Sequence, residues 1–171
     1  MFIIVEKPFN DEDIYAVFIK ELKISTGDEI RRYIEFLDVK FPLQKIYMDT
    51  TGGFGTVYDE LMTKPALSYK LVSCNFASSL DGRPFKEVMF SNLKALMEKR
   101  VKNLPGGLHI PNHRKLIYEL IDLRYEPADS GKLKIHHSER GHDDFADALG
   151  LACLLFRQHE GSSYEPTWYV A

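Results

Sequence analysis

Short apolar runs alternate along the chain with longer segments in which apolar residues recur every three or four positions. The apolar runs predict buried strands at 2–5, 45–49, 69–77, 108–110 and 132–137. The helical spacing predicts helices at 25–41, 57–62, 84–101 and 112–125, and a last one that begins near residue 142. Polar residues with Gly and Pro at 78–84 predict a loop.

The segment 10–22 supports two interpretations. Asn10 can cap a helix, and Ile14, Val17, Phe18 and Leu22 follow it at helical spacing. The same stretch is rich in β-branched and aromatic residues, which favour a strand. The helix is the first prediction here, and the strand stays open as the alternative.

Alternating strands and helices predict an α/β fold with a largely central sheet. The 171 residues are enough for one domain with a sizeable core. We assign residues 1–157 to that domain and 158–171, which are rich in polar residues, to a C-terminal tail.

Composition excludes some classes of protein. No apolar run is long enough to cross a bilayer, and the apolar start is too short for a signal peptide. The net charge of −3 gives no overall basic surface, although clustered acids that hold metal ions are compatible with a nuclease. Cys74 and Cys153 lie in apolar segments and are predicted to be buried thiols in a reducing compartment.

One short segment concentrates ionisable side chains immediately before an apolar run. Between His142 and Asp147 lie one histidine and three aspartates, and the apolar run 148–156 follows. On a helix, Asp147 lies on the same face as Asp143 and Asp144, where like charges repel. A plain acidic first turn explains the first two acids, but it explains Asp147 poorly because a buried helix follows. A divalent cation would offset the repulsion.

A further acid, Asp49, ends a predicted strand and precedes a Gly-rich turn. Ligands of open α/β sheets bind beyond the carboxyl ends of strands. Mg²⁺ prefers carboxylate oxygens, and two such ions about 4 Å apart can clamp a phosphodiester. Asp49 and the acids near the last helix therefore indicate a metal-dependent phosphodiesterase, although Asp49 alone could simply form the turn.

These segments resemble the nuclease domain of the large terminase subunit of tailed phages and related proviruses. The matching segments are IYMDTTGGFGTVYDEL, KEVMFSNLKALMEK with its Lys and Asn, GLHIPNHRKLIYELIDLRYE, and the closing HDDFADALGLA. They follow the family's order and span 45–156. The resemblance implies an RNase H-like, or retroviral-integrase-like, fold in which helices flank a central mixed sheet.

The resemblance also implies roles for individual residues. Asp49 matches the second metal-binding acid of the family, and Asp143 and Asp144 match the terminal acids, of which we favour Asp144 as the closer ligand. His142 matches the histidine that precedes them. Asp147 matches a recurring acid of the closing segment and is expected to support the metal site, as a ligand or behind the ligands.

The family's first catalytic acid has no clear counterpart, because no Gly-x-Asp pattern occurs near the start. Either 2–5 is the first strand and Glu6 replaces the aspartate, or the first strand is missing. We favour a missing first strand.

The implied activity is a double-stranded DNA endonuclease that uses two Mg²⁺ or Mn²⁺ ions, with Lys86, Arg114 and Lys115 contacting phosphates. The sequence shows no nucleotide-binding phosphate loop, so we expect the nuclease part of a large terminase without its ATPase motor. The expected partners are DNA and other packaging components (portal, small terminase subunit and ATPase domain) in the host cytoplasm, with no membrane. Alternatives are a catalytically impaired relative that binds DNA or a partner, and a junction-resolvase or transposase-like nuclease.

Overall fold

The computed structural model describes residues 1–23, 26–127, 133–136 and 143–157. Strands and helices alternate along most of the chain, as predicted. The strands are β1 (Phe2–Glu6), β2 (Ile14–Lys20), β3 (Ile46–Asp49), β4 (Leu71–Cys74), β5 (Ser79–Leu80), β6 (Arg83–Pro84), β7 (Leu108–His109), β8 (Arg124–Pro127) and β9 (Leu133–His136). The helices are α1 (Gly27–Lys40), α2 (Gly55–Met62), α3 (Pro65–Ser68), α4 (Phe85–Val101), α5 (Arg114–Asp122) and α6 (Asp144–Ala152).

The central strands form two hydrogen-bonded groups. In the first group, β1 pairs with β2 antiparallel and β2 pairs with β7 parallel, in the order β1-β2-β7. In the second group, β3 and β4 pair parallel. The loop predicted at 78–84 contains the small hairpin β5-β6, whose turn residues Asp81 and Gly82 both have positive φ. A second hairpin is formed by β8 and β9.

The helix prediction for 10–22 is wrong, and the strand alternative is confirmed. Residues Ile14–Lys20 form β2, which lies between β1 and β7 and has partners for its backbone groups on both sides. Its first residues alternate as a strand requires, because Ile14 and Ala16 are buried and Val17 is exposed. Tertiary pairing therefore outweighs the helical spacing of the same side chains.

Two apolar cores lie on opposite faces of β1. Ile4 belongs to one core, which contains side chains of α1, α2, β3 and β4. Ile3 and Val5 belong to the other core, which contains side chains of α4, α5 and α6. Because successive side chains of a strand point to opposite faces, the apolar run of β1 fits a strand buried on both faces.

Local side chains fix two helix starts. Thr26 and Glu29 form a capping box at the start of α1, as the sequence Thr-x-x-Glu favours. At α5 the capping side chain is His113, whose ring nitrogen accepts from the backbone N–H of Leu116. An Asn is the more common capping residue, but Asn112 lies one position before the cap.

Cys74 and Cys153 are buried free thiols, as predicted. Burial raises the pKa of Cys74 to about 12, so its thiol stays protonated at neutral pH. In the part of the chain that the structure describes, no helix has both the length and the apolar character that a membrane span requires.

Gly107 brings the strand β7 against α4 at van der Waals distance. A Cβ at this position would lie 2.7 Å from the Cα of Arg100 and 2.8 Å from its backbone nitrogen. The backbone of Gly107 is fixed as well, because its carbonyl accepts from Ile14 and its N–H donates to Asp13. There is no flexible side chain that could move to relieve the contact.

We therefore expect Gly107→Ala to lower the free energy of unfolding by about 1–3 kcal/mol, since overpacking forces the backbone apart. Urea denaturation followed by circular dichroism measures the change. Gly53→Ala is the matched control, because nothing lies within 4 Å of a Cβ there. Equal stability of the two variants would contradict the close approach of β7 and α4.

Candidate active site

Four aspartates lie at the end of β3 and the start of α6. Asp49 is the last residue of β3, and its carboxylate accepts from the backbone N–H of Thr51 at 2.8 Å. Asp143 immediately precedes α6, and Asp144 and Asp147 lie in its first turn. Asp49, Asp144 and Asp147 line the same cavity. We call these four residues the acidic cluster.

Lys86 of α4 holds two members of the acidic cluster. Its Nζ lies 2.7 Å from Oδ2 of Asp143 and 2.7 Å from Oδ2 of Asp147. Burial disfavours the charged form of Lys86, but the hydrogen bonds and charges of the two aspartates outweigh it and raise its pKa. Lys86 was predicted to contact DNA phosphates, and the structure places it as a partner of these acids. Asp143 occupies the N-cap position of α6, but its side chain makes no capping hydrogen bond.

Asp147 is the most strongly perturbed acid of the cluster. Its pKa is raised to about 7, chiefly by burial; Lys86 acts in the opposite direction, and the charges of Asp143 and Asp49 add to the rise. Its side chain is only 14% exposed. Its Oδ1 is buried and has no hydrogen-bond partner among the described residues. An unpartnered buried carboxylate oxygen is costly, and a cation is one group that would satisfy it.

Glu119 of α5 was not predicted, although it fixes the start of α6. Its Oε2 accepts from the backbone N–H groups of Phe145 at 2.6 Å and Ala146 at 3.0 Å. Burial raises the pKa of Glu119, and nearby Asp144 and Asp143 raise it too, against the lowering effect of the two N–H groups. The sequence signal that could have identified Glu119 is its place on the predicted helix, one turn after the apolar residue Leu116.

Asn92 of α4 fixes the other end of α6. Its side-chain amide donates to the carbonyl of Cys153 at 2.8 Å. Lys86 and Asn92 therefore connect α4 to both ends of α6. Gly150 lets α4 and α6 approach each other closely, because a Cβ at this position would lie 2.9 Å from the side chain of Met89. These contacts with α4 fix the position of the acids at the start of α6.

The two other predicted basic residues lie at the start of α5. Arg114 is exposed and stacks over the ring of Tyr118. Lys115 bonds Glu21 at 2.6 Å, and its Nζ lies 5.8 Å from the ring centre of Phe145 in α6. Lys115 therefore lies near the start of α6, and both residues are accessible from solvent.

Glu6 is not brought to the acidic cluster. In the pairing of β1 and β2, Phe2 lies opposite Lys20 and Glu6 lies opposite Tyr15. The Lys20 end of β2 leads to Glu21, which contacts Lys115 beside α6, so Glu6 lies at the far end of β1. The other predicted residue, His142, lies outside the described residues.

The acidic cluster is incomplete as a metal site. Within residues 1–23, 26–127, 133–136 and 143–157, no three His, Cys, Asp or Glu side chains converge closely enough to hold a metal ion. The unpartnered oxygen of Asp147 fits a cation, but the described residues do not supply a full set of ligands.

The chain is similar in sequence and in structure to large terminase subunits of phages. No model of a known protein family matches the chain. The large terminase subunits of Thermus phage G20c and Thermus virus P23-45 are each 30% identical to it over 115 residues. The nuclease of the G20c large terminase, solved with bound cobalt and with bound magnesium, has 28% identity and a TM-score of 0.58 over 75% of this chain and 61% of that one. The nuclease domain of the Thermus phage P74-26 large terminase has 25% identity and a TM-score of 0.61, over 90% of this chain and 70% of that one.

The chain has the RNase H-like fold of a large-terminase nuclease domain. Both the predicted fold class and the resemblance are thereby confirmed. The chain spans 21% of the length of the curated terminase subunits that it matches, and the match covers 67% of this chain.

Lys86 offers a direct test of the terminase-like site's electrostatics. We expect Lys86→Met to lower the free energy of unfolding by about 1–3 kcal/mol, because Asp143 and Asp147 lose charged hydrogen bonds in a largely buried place. Urea denaturation measures the difference. The control is Lys94→Met on the same helix, whose side chain is 64% exposed and should change stability by less than about 0.5 kcal/mol. Similar losses in both variants would contradict the assigned role of Lys86.

Proposed function

We propose that this chain is a divalent-metal-dependent DNA endonuclease domain of the terminase large-subunit type. The observation that carries the proposal is the unpartnered, buried oxygen of Asp147 inside a group of four aspartates. Support also comes from the cluster's position at the carboxyl end of β3. The similar G20c nuclease has been solved with bound magnesium and with bound cobalt.

Asp49 and Asp144 are the proposed principal ligands. Asp143 is proposed to add a carboxylate next to Asp144, and Asp147 to contribute its Oδ1, which has no hydrogen-bond partner among the described residues. His142, next to Asp143 in sequence, is proposed to orient a ligand or a water. When bound, two Mg²⁺ or Mn²⁺ ions would activate a water as nucleophile and stabilise the leaving oxygen of a phosphodiester.

The chain's own residues supply positioning and charge. Lys86 offsets the repulsion between Asp143 and Asp147 while the site holds no cation. Glu119 fixes the first turn of α6, and this keeps the aspartates of that turn at one orientation. We propose that exposed Arg114 and Lys115 contact DNA phosphates, which would make binding dependent on salt and largely independent of sequence.

The biological setting is part of the same proposal. We infer that the chain cuts double-stranded viral DNA during packaging in the host cytoplasm. It would act with an ATPase domain, and with packaging components such as a portal and a small terminase subunit. These partners follow from the similarity to large terminases.

A second candidate is a relative of the same fold that binds DNA or a packaging partner without cutting. The observation that favours it is that no three ligands converge among the described residues. The two candidates differ in whether any divalent cation produces cleavage.

We expect the chain to nick and linearise supercoiled plasmid in Mn²⁺ or Mg²⁺ and to be inactive in EDTA. Asp49→Asn and Asp144→Asn should each lower the rate by at least about 100-fold, because each removes a charged ligand of the proposed metal site. Agarose-gel assays over time give the rates. A branched four-way substrate run in parallel tests the resolvase alternative, which predicts faster cleavage of the branched DNA.

The matched control for these two variants is Asp59→Asn, an exposed aspartate of α2, which should cleave at the wild-type rate. Absence of cleavage by the folded wild type in every metal would favour the non-cutting relative. Cleavage that survives either Asp49→Asn or Asp144→Asn would place the active site elsewhere.

Metal binding can be measured without activity. We expect titration with Mn²⁺, followed by electron paramagnetic resonance of the free ion, to show binding that Asp49→Asn weakens by about 10-fold or more. Asp59→Asn should bind as the wild type does. Equal Mn²⁺ affinity in wild type and Asp49→Asn would remove Asp49 from the ligand set.

A further inference from the structure

The turn after β3, residues 50–56, carries one aromatic ring among glycines. Its sequence is Thr-Thr-Gly-Gly-Phe-Gly-Thr, and it contains no charged residue. Gly52 has a φ of +69°, and a Cβ at Gly52 or at Gly53 would meet nothing within 4 Å. A molecule that approaches this turn therefore meets bare backbone at the two glycines, with the side chain of Phe54 next to it.

The threonine hydroxyls of the turn all have partners inside the protein. The hydroxyls of Thr50 and Ser73 share a hydrogen bond of 2.8 Å. The hydroxyl of Thr51 accepts from the backbone N–H of Phe76 at 3.1 Å. The hydroxyl of Thr56 donates to the backbone carbonyl three residues before it, at 3.0 Å. The hydroxyls therefore hold the conformation of the turn and fix it against the segment that follows β4.

Phe54 keeps half of its surface in solvent, although it borders the cavity that three aspartates of the acidic cluster line. Its exposed fraction is 50%. Of the four aromatic rings that the described residues contribute to this cavity, Phe54 is the exposed one. Phe76 of the same cavity already packs against Phe85 and lies 4.9 Å below the ammonium of Lys86. The ring of Phe54 thus presents an open face to solvent beside the acids.

The chemistry of this turn favours one part of a nucleotide. Phosphates are contacted by cationic side chains, and the turn has none. An exposed aromatic ring contacts the flat face of a nucleobase, and it does so without regard to the identity of the base, because every base has such a face. Phe54 has no donor or acceptor in its side chain, so that this contact cannot read a sequence.

We propose that Phe54 stacks on a nucleobase of the cut strand, next to the phosphate that is cleaved, and that this base leaves the duplex stack when the DNA binds. The inference rests on the proposed nuclease function, which places that phosphate at the acidic cluster. Unstacking a base costs least at a mismatch or at a flexible step. Phe54 therefore directs cleavage to DNA that is easily distorted, whatever its sequence.

Three substitutions of Phe54 separate stacking from simple apolar packing. We expect Phe54→Ala to lower kcat/KM for nicking of supercoiled plasmid in Mn²⁺ by about 10-fold or more. Phe54→Trp should stay within about 3-fold of the wild type, because indole also stacks on bases. Phe54→Leu keeps an apolar side chain but has no flat ring, so it should be as slow as Phe54→Ala. Gel assays over a range of DNA concentrations give these values.

The matched control is Phe36→Ala, which removes an exposed ring of α1 that is 52% exposed and should cleave at the wild-type rate. Mn²⁺ titration of each variant, followed by electron paramagnetic resonance, should show the wild-type affinity, because Phe54 is not a ligand. Wild-type cleavage by Phe54→Leu would show that the ring is only an apolar wall of the cavity, and this would overturn the proposal.

A direct contact can be detected without measuring activity. Iodouracil in place of thymine cross-links under ultraviolet light to an aromatic side chain that stacks on it. We expect a wild-type chain bound to an iodouracil-substituted duplex to give a cross-linked peptide that contains Phe54, within a time short compared with cleavage. Phe54→Leu should lose this cross-link, and Phe36→Ala should keep it. A wild type that cleaves DNA but cross-links only elsewhere would overturn the proposal.

Unstacking is tested with two duplexes that differ by one central mismatch. The wild type should cut the mismatched duplex at least about 5-fold faster, since the base there is already loosened. Phe54→Ala should lose most of this preference. An equal preference in both proteins would overturn the proposal while the nuclease function stands. A folded wild type that neither binds nor cuts any of these DNAs would overturn the proposed function together with this inference.

Discussion

The ammonium of Lys86 lies 2.7 Å from a carboxylate oxygen of Asp143 and 2.7 Å from one of Asp147, and the arrangement of the candidate site depends on this contact. Without it, three aspartates within five positions would repel one another next to a buried helix. The same helix that carries Lys86 carries Asn92, which bonds the end of α6. α4 therefore fixes α6 at both ends, and this defines the position of the acids in the first turn of α6.

A second constraint comes from the sheet. β3 is buried on the face of α1 and α2 and ends at Asp49, so that its carboxylate lies at the edge reached by the start of α6. Glu119 occupies the backbone N–H groups of Phe145 and Ala146, a role that an acid of α6 itself could otherwise take. Because a glutamate from another helix caps α6, none of the aspartates in its first turn serves as the cap of those N–H groups. One buried oxygen, Oδ1 of Asp147, is left without a partner among the described residues.

Sequence reasoning alone predicted the α/β class, most strands and helices, the buried cysteines, and the acids to which the proposed chemistry is assigned. These follow from local periodicity and from residue types with few alternative uses. That Ile14–Lys20 is a strand could not be resolved locally, because its pairing with β1 and β7 outweighs helical spacing. The tertiary structure likewise places Lys86 among the acids, where sequence reasoning had predicted a DNA contact. It also shows that Glu119 fixes the start of α6. Both depend on contacts between residues that lie 26 or more positions apart in sequence, and no local pattern encodes such a contact.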